Sequence, residues 1–226
     1  MNKLPDILLI TTHDLGTHLG CYGWDPLLPT PHLDGLAAEG VRFENHFCTA
    51  PYCSPSRGAI ITGKYPHVNG LMGLVNLGWD IPDTNVFLPA ALQHAGYETF
   101  LFGVQHVAKD PGRLGYEHIG VRGKYGCREV VAMVADCLKR RSHSDPRPFF
   151  IEAGFFEVHR PYGNLEQIPV REDDLRPLPF LKDTPGLRMD MVLFYENIRR
   201  MDHSIGELMA LLETLGLAGN TLVIFT

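Results

Sequence analysis

The densest group of chemically capable residues is Cys53-Ser54-Pro55-Ser56-Arg57, followed by Thr62-Gly63-Lys64 and Tyr65-Pro66-His67. Pro55 suits the first turn of a helix, so Cys53 is expected at a helix start. Helix starts carry the positive end of the dipole and N–H groups without intrahelical partners. An anion such as sulfate or phosphate is favoured there. Arg57, within the first turn, can aim its guanidinium fork at the same place. On residue types alone, a buried cysteine before a capped surface helix is the commoner reading. His106 and His159 each follow a predicted strand. They are either satisfied structural histidines or groups that handle protons. Asp14, after the first predicted strand, suits a turn or a cap.

The elements that must position these residues follow from hydrophobic periodicity. Residues 6–12 (DILLITT) read as a central parallel strand. Thr30, Pro31 and Gly40 bracket a short helix, and residues 41–47 alternate like a second strand. A helix runs from Ser54-Pro55 through Ile60 and Ile61 to Gly63, before a Gly-rich loop over 66–80. Further on come a helix at 88–95, a strand at 97–102, a helix at 129–140 and a strand at 148–153. The helix at 129–140 is expected to bury Val130, Val134, Cys137 and Leu138. Residues 160–186 read as a long proline-rich surface loop. Over 188–215, apolar residues from Met191 to Leu215 recur at spacings of three and four, leading into a strand at 221–225. That stripe fits a coiled-coil seam or a crossover helix, and the strand that follows favours the crossover. The expectation is an α/β fold, a mostly parallel sheet with helices on both faces and a site beyond the carboxyl ends of the strands.

The chain has 226 residues with 45% hydrophobic and 20% charged content, ordinary for a globular protein. A net charge of −6 argues against nucleic acid or an anionic membrane as partner. It leaves an anionic substrate open, because a local pocket can oppose the global charge. No apolar run approaches the ~18 residues that span a bilayer. The first twelve residues start like a signal peptide, but the apolar run covers only Ile7 to Ile10 and no small-residue cleavage site follows. A cytoplasmic location is the default expectation, with the periplasm left open. Cysteines at 21, 48, 53, 127 and 137 form no CxxC pair, so neither a disulfide framework nor a zinc knuckle is expected.

The stretch from Cys53 to Gly63 resembles the C-x-P-S-R…T-G motif of the type I sulfatases, in the alkaline-phosphatase-like superfamily. The resemblance continues in ILLITTHDLG (7–16), CSPSRGAIITGKYPH (53–67), GYETFLFGVQH (96–106), FFIEAGFFEVHRPY (149–162) and GELMALLETLGLAGNTLVIFT (206–226). The FFEVHRPY block is most similar to the heparan N-sulfatase (sulfamidase) branch and its bacterial relatives. The resemblance implies oxidation of Cys53 to formylglycine by a maturation enzyme. It implies a hydrated aldehyde whose one hydroxyl attacks sulfur while the other, losing its proton, releases sulfate. By the family pattern Arg57 stabilises the hydrate, His106 lies near the sulfate and the diol, and His159 faces the leaving group as general acid. Lys64 is a surface lysine or a substrate-side cation that orients Arg57. A divalent metal, usually calcium, is implied at Asp14, with His13 and the Cys53 position as further candidate ligands. The implied substrate is a sulfated small molecule or glycan.

Several positions depart from the family pattern. His13 stands where a second acid is usual, so it is a non-ligand neighbour or the metal is softer than calcium. Val104 replaces a usual lysine, for which Lys109 is a candidate substitute. The remaining family metal ligands follow the last strand, where the sequence stops at Thr226. Residues 1–226 therefore read as an N-terminal catalytic domain, truncated on its C-terminal side and with little turnover alone. Competing readings are a phosphonate or phosphate monoester hydrolase using the same formylglycine, and a catalytically silent binding domain. A zinc protein built on His13, His18, Cys21, His46 and Cys48 is a third.

Overall fold

The computed structural model describes residues 4–25, 27–120, 126–141, 146–162, 171–175, 177–178 and 180–226. Five parallel strands form one sheet in the order β3-β2-β4-β1-β5. They are β1 (Asp6–Thr11), β2 (Glu98–Gly103), β3 (His118–Ile119), β4 (Phe149–Gly154) and β5 (Thr221–Phe225). The helices are α1 (Pro31–Glu39), α2 (Cys53–Thr62), α3 (Pro66–Asn69), α4 (Leu88–His94), α5 (Cys127–Arg141) and α6 (Pro185–Thr214). The middle strands are largely apolar because both faces are covered, as parallel sheets require.

Strand alternation divides the core. Leu8, Ile10, Phe100, Phe102, Phe149, Ile151 and Ala153 face α5 and α6, whose Val130, Val134, Ile198, Met201 and Ile205 fill the space. Leu9, Leu101 and Phe150 face the opposite side, with Ile61 of α2 and the Leu71, Ile81 and Leu114 side chains. The helices on both faces agree with the sequence expectation. Val130, Val134, Cys137 and Leu138 of α5 are buried as expected. The long apolar stripe belongs to α6, a crossover helix that packs on α5 and α1. It starts at Pro185, where the Thr184 side chain accepts a hydrogen bond from the Leu187 N–H.

Three expectations need correction. Residues 41–47 are not a strand: Val41 and Phe47 are each 80% exposed and the backbone pairs with no neighbour. Alternation alone cannot make a strand without an edge to join. The 66–80 region is not wholly loop, because α3 and a 3-10 turn at Val75–Leu77 form there, each closed by a left-handed glycine. Two-residue β3 was not anticipated, being too short to show a period. Within the expected surface loop of 160–186, residues 163–170, 176 and 179 lie outside the described residues.

The start of α1 is held from another helix. Thr30 does not cap it; its hydroxyl instead accepts from the Gly20 N–H and donates to Asp34. The buried Asp202 carboxylate on α6 accepts from the His32 N–H at 3.3 Å and the Leu33 N–H at 2.8 Å. Asp202→Ala is expected to cost about 2 kcal/mol by leaving these amides without a charged acceptor, read as a lower urea midpoint with unchanged slope.

Candidate active site

The carboxyl ends of β1, β2 and β4 meet the start of α2. Cys53 is the first residue of α2, and the preceding Tyr52 supplies no side-chain cap. The thiol is free and half-buried. Ser54 beside it is fully buried and its hydroxyl accepts from the Val75 N–H at 3.2 Å, which anchors the helix start. Arg57 follows one turn later and is 5% exposed. Its guanidinium donates to Thr11 Oγ1 at 2.7 Å, to the Val104 carbonyl at 3.1 Å and to the Thr12 carbonyl at 3.1 Å. The fork thus ties α2 to the ends of β1 and β2 and leaves its positive charge beside Cys53.

Two glycines let those strand ends approach. At Gly103, whose φ is +88°, a Cβ would lie 2.0 Å from the Gly154 carbonyl oxygen. At Gly154 a Cβ would lie 2.0 Å from the Val104 oxygen. Only glycine fits either place. The Val104 N–H then donates to Gly154 O at 2.8 Å, and its carbonyl is free to turn toward Arg57.

The loops after β1, β2 and β4 deliver three histidines to this spot. His13 is held by backbone hydrogen bonds to Glu157 O and from the Val158 N–H, both 2.9 Å. Its ring meets the His159 ring edge-on at 5.6 Å. His13 is buried, and its Nε2 has no hydrogen-bond partner. Burial first, then the charges of Arg57, His159 and His106, push its pKa down to about 2. His106 adopts a φ of +52° and is half-buried. Burial, Arg57 and His159 lower its pKa as well. His159 lies between the cis peptides Glu157-Val158 and Arg160-Pro161, with Nδ1 against the Arg160 carbonyl. The pocket therefore combines a thiol at a helix start, the Arg57 cation and three imidazoles, of which His13 and His106 favour the neutral form, an arrangement that attracts an anion and can move protons.

Other expected residues lie elsewhere. Lys64 sits past the end of α2, roughly 15 Å of helix from Cys53, and donates to Asn85 Oδ1 at 3.3 Å rather than orienting Arg57. Lys109 reaches toward the Gly78 carbonyl, so it does not replace the cation missing at Val104. Asp14, with a φ of +54°, is exposed, and its charge acts on Arg160 and Tyr162. Arg160 is in turn bound to Asp190 of α6. The zinc reading fails among the described residues: no three His, Cys, Asp or Glu side chains converge on a metal position. His18 instead stacks edge-on against Trp24 and Phe194. Thr11 and the Thr12 and Val104 carbonyls, which hold Arg57, were missed. A threonine ending an apolar strand was the only sequence signal for them.

The sulfatase family model matches residues 5–226. The chain belongs to the sulfatase family. It is 32% identical over 251 residues to the N-sulphoglucosamine sulphohydrolase of Homo sapiens, covering 97% of this chain and 49% of that protein. Identity to the N-acetylgalactosamine-6-sulfatase of Homo sapiens is 30% over 258 residues, covering 98% and 49%. The chain thus spans about half the length of the curated relatives it matches. The fold is also that of a solved protein in complex with its substrate D-glucosamine-2-N,6-O-disulfate, with TM-score 0.82 and 19% identity over 99% of this chain and 65% of that one. The phosphonate monoester hydrolase of Agrobacterium radiobacter shares it too, with TM-score 0.78 and 20% identity over 98% and 62%.

For this sulfatase-family chain the described residues do not fit calcium. Calcium takes six to eight oxygens, whereas the described candidates offer one exposed carboxylate at Asp14, an imidazole nitrogen at His13 and a thiol at Cys53. The orphaned His13 Nε2 lies within the field of the buried Arg57 guanidinium, which repels a divalent ion. Calorimetry on the chain is expected to show a calcium Kd no tighter than about 1 mM; micromolar binding would reveal oxygen ligands beyond these. The histidines also set a pH response. Below about pH 6.5 the unfolded chain takes up protons on His13 and His106 that the folded chain resists, so stability falls as pH falls. Urea unfolding between pH 8 and pH 5 is expected to show this slope, and His13→Gln to flatten it.

Proposed function

We propose that this chain carries the nucleophile and anion pocket of a hydrolase that cleaves sulfate esters or sulfamates of a carbohydrate. The observation that carries the reading is Cys53 at an uncapped helix start, with buried Arg57 one turn on and His106 and His159 converging from the ends of β2 and β4. The relatives named for sulfated amino sugars support the substrate class. Converted to formylglycine by a maturation enzyme and hydrated, the Cys53 position would supply two hydroxyls on one carbon, one to attack and one to expel sulfate.

The chain's own residues do the rest. Arg57 and the first amides of α2 hold the sulfuryl oxygens and balance charge that builds in the transition state. The three hydrogen bonds of Arg57 keep that charge in place before substrate arrives. His106, kept neutral by burial and by Arg57, can accept a proton beside the nucleophile. His159, on the outer side with a half-exposed ring, is placed to protonate the departing oxygen or nitrogen. Asp14 enters only as a candidate ligand for a cation whose other oxygens would come from elsewhere. The reading needs no membrane or nucleic-acid partner, and it carries the cytoplasmic expectation with it.

Co-expression with a formylglycine-generating enzyme is expected to lower the intact mass by about 18 Da at Cys53. An unconverted cysteine under those conditions would favour the silent binding domain. In the protein that contains this chain, Cys53→Ala is expected to abolish aryl sulfate turnover and Arg57→Ala to lower kcat by roughly 10³-fold. Paired assays with aryl sulfate and aryl phosphate check the leaving group, and faster phosphate cleavage would overturn the sulfatase reading.

A further inference from the structure

Glu152 is a buried carboxylate that the proposed chemistry does not use. It lies inside β4 at 2% exposure, on the face shared with Phe150, and its register partners are Leu9 on β1 and Leu101 on β2. A lone carboxylate among such neighbours is costly, and burying it requires a compensating partner. Tyr116 supplies a hydrogen bond from its hydroxyl, and that ring is itself buried against Phe150. The positive charge comes from Arg57 on α2, which acts on Glu152 and on Tyr116 together. Packing alone does not call for this group, since apolar side chains of similar volume commonly replace buried ion pairs without loss of stability.

The geometry of Arg57 shows how Glu152 acts. The described hydrogen bonds of the guanidinium all go to neutral oxygens, Thr11 Oγ1 and the carbonyls of Thr12 and Val104. Those bonds fix its direction. Glu152 lies on the same sheet face, two residues before Gly154, whose register partner Thr11 accepts from Arg57, so its charge reaches the guanidinium from within the sheet. We infer that Glu152, held by Tyr116, is the buried counter-charge of Arg57 and limits how tightly the Cys53 pocket holds a sulfate-like dianion. The inference rests on the function proposed above. It makes Glu152 a positioning residue that acts through Arg57: a site that bound its dianionic product with an uncompensated cation would release it slowly.

Acid should remove this compensation. Burial raises the Glu152 carboxyl above its usual range, while the Tyr116 hydroxyl and Arg57 oppose the rise. These are the two titratable groups that act on it, from the segment before β3 and from α2; β1 and β2 present Leu9 and Leu101. The test is a titration of the chain with inorganic sulfate at pH 8 and pH 5, read from the Cys53 and Ser54 amide signals by NMR. Wild type is expected to bind and Arg57→Gln to lose binding. Glu152→Gln, which keeps an acceptor for Tyr116, is expected to bind sulfate about tenfold more tightly than wild type at pH 8. As falling pH protonates Glu152, the two should converge. A purely structural role would predict the reverse sign, because a disturbed pocket binds less. Unchanged or weaker binding by folded Glu152→Gln overturns the inference while leaving the proposed function intact. Absence of Arg57-dependent binding in wild type overturns both. Tyr116→Phe serves as a second variant should Glu152→Gln not fold. Its lost hydrogen bond should move the acid tightening to higher pH, and an unmoved profile counts against the inference.

Discussion

The structure turns on a single buried cation. Arg57 must leave water to reach its place, and a guanidinium can do so only where its N–H groups find acceptors. The acceptors are the ends of β1 and β2, through Thr11, Thr12 and Val104. That requirement fixes how α2 lies on the sheet, and thereby where Cys53 stands. Burial, and then the same charge, depress the pKa of His13 and His106 and favour their neutral rings. The position of Cys53 and the charge around His13 and His106 thus depend on one side chain being buried where it is.

The sheet is built to admit it. Gly103 and Gly154 end adjacent strands, and neither position has room for a Cβ. Their close approach lets Val104 leave β2 with its carbonyl turned to α2. Beyond the glycines, β1 and β4 continue side by side through the His13 and Val158 backbone bonds. These bring His13 against His159. The three histidines are carried by loops here, but the loops after β1 and β4 are clamped by sheet-like hydrogen bonds at their first residues, which gives them a defined geometry.

Much of the fold was legible because buried parallel strands and long amphipathic helices write strong local patterns. Ile7 to Ile10, Phe149 to Ala153 and the stripe from Ile198 to Leu212 each declare their period in the residues themselves. Residues 41–47 show the limit: they alternate correctly, yet no neighbouring edge pairs with them and Phe43 and Phe47 are exposed. A strand is a property of two segments, and pattern reports only one. Lys64, left open in the sequence between a surface lysine and a partner of Arg57, shows the same limit. Its nearness to Arg57 in sequence suggested a shared role, but the helix between them carries it away from the Cys53 end, to Asn85.

By itself the sequence determined the class of fold, the Cys53-to-Arg57 motif at a helix start and the two histidines after strands. These are local facts, set by helix capping, strand period and residue chemistry within a few positions. Only the tertiary structure decided which groups share a pocket. It brought His13 in as a buried neutral ring, left Asp14 facing Arg160 and Tyr162, and moved Lys64 and Lys109 out. It also joined Tyr116 to Glu152 and set both within the field of Arg57, a relation between β4, α2 and the segment before β3. Such relations depend on strand order and on the space two glycines leave, and neither is recorded in any short stretch of chain.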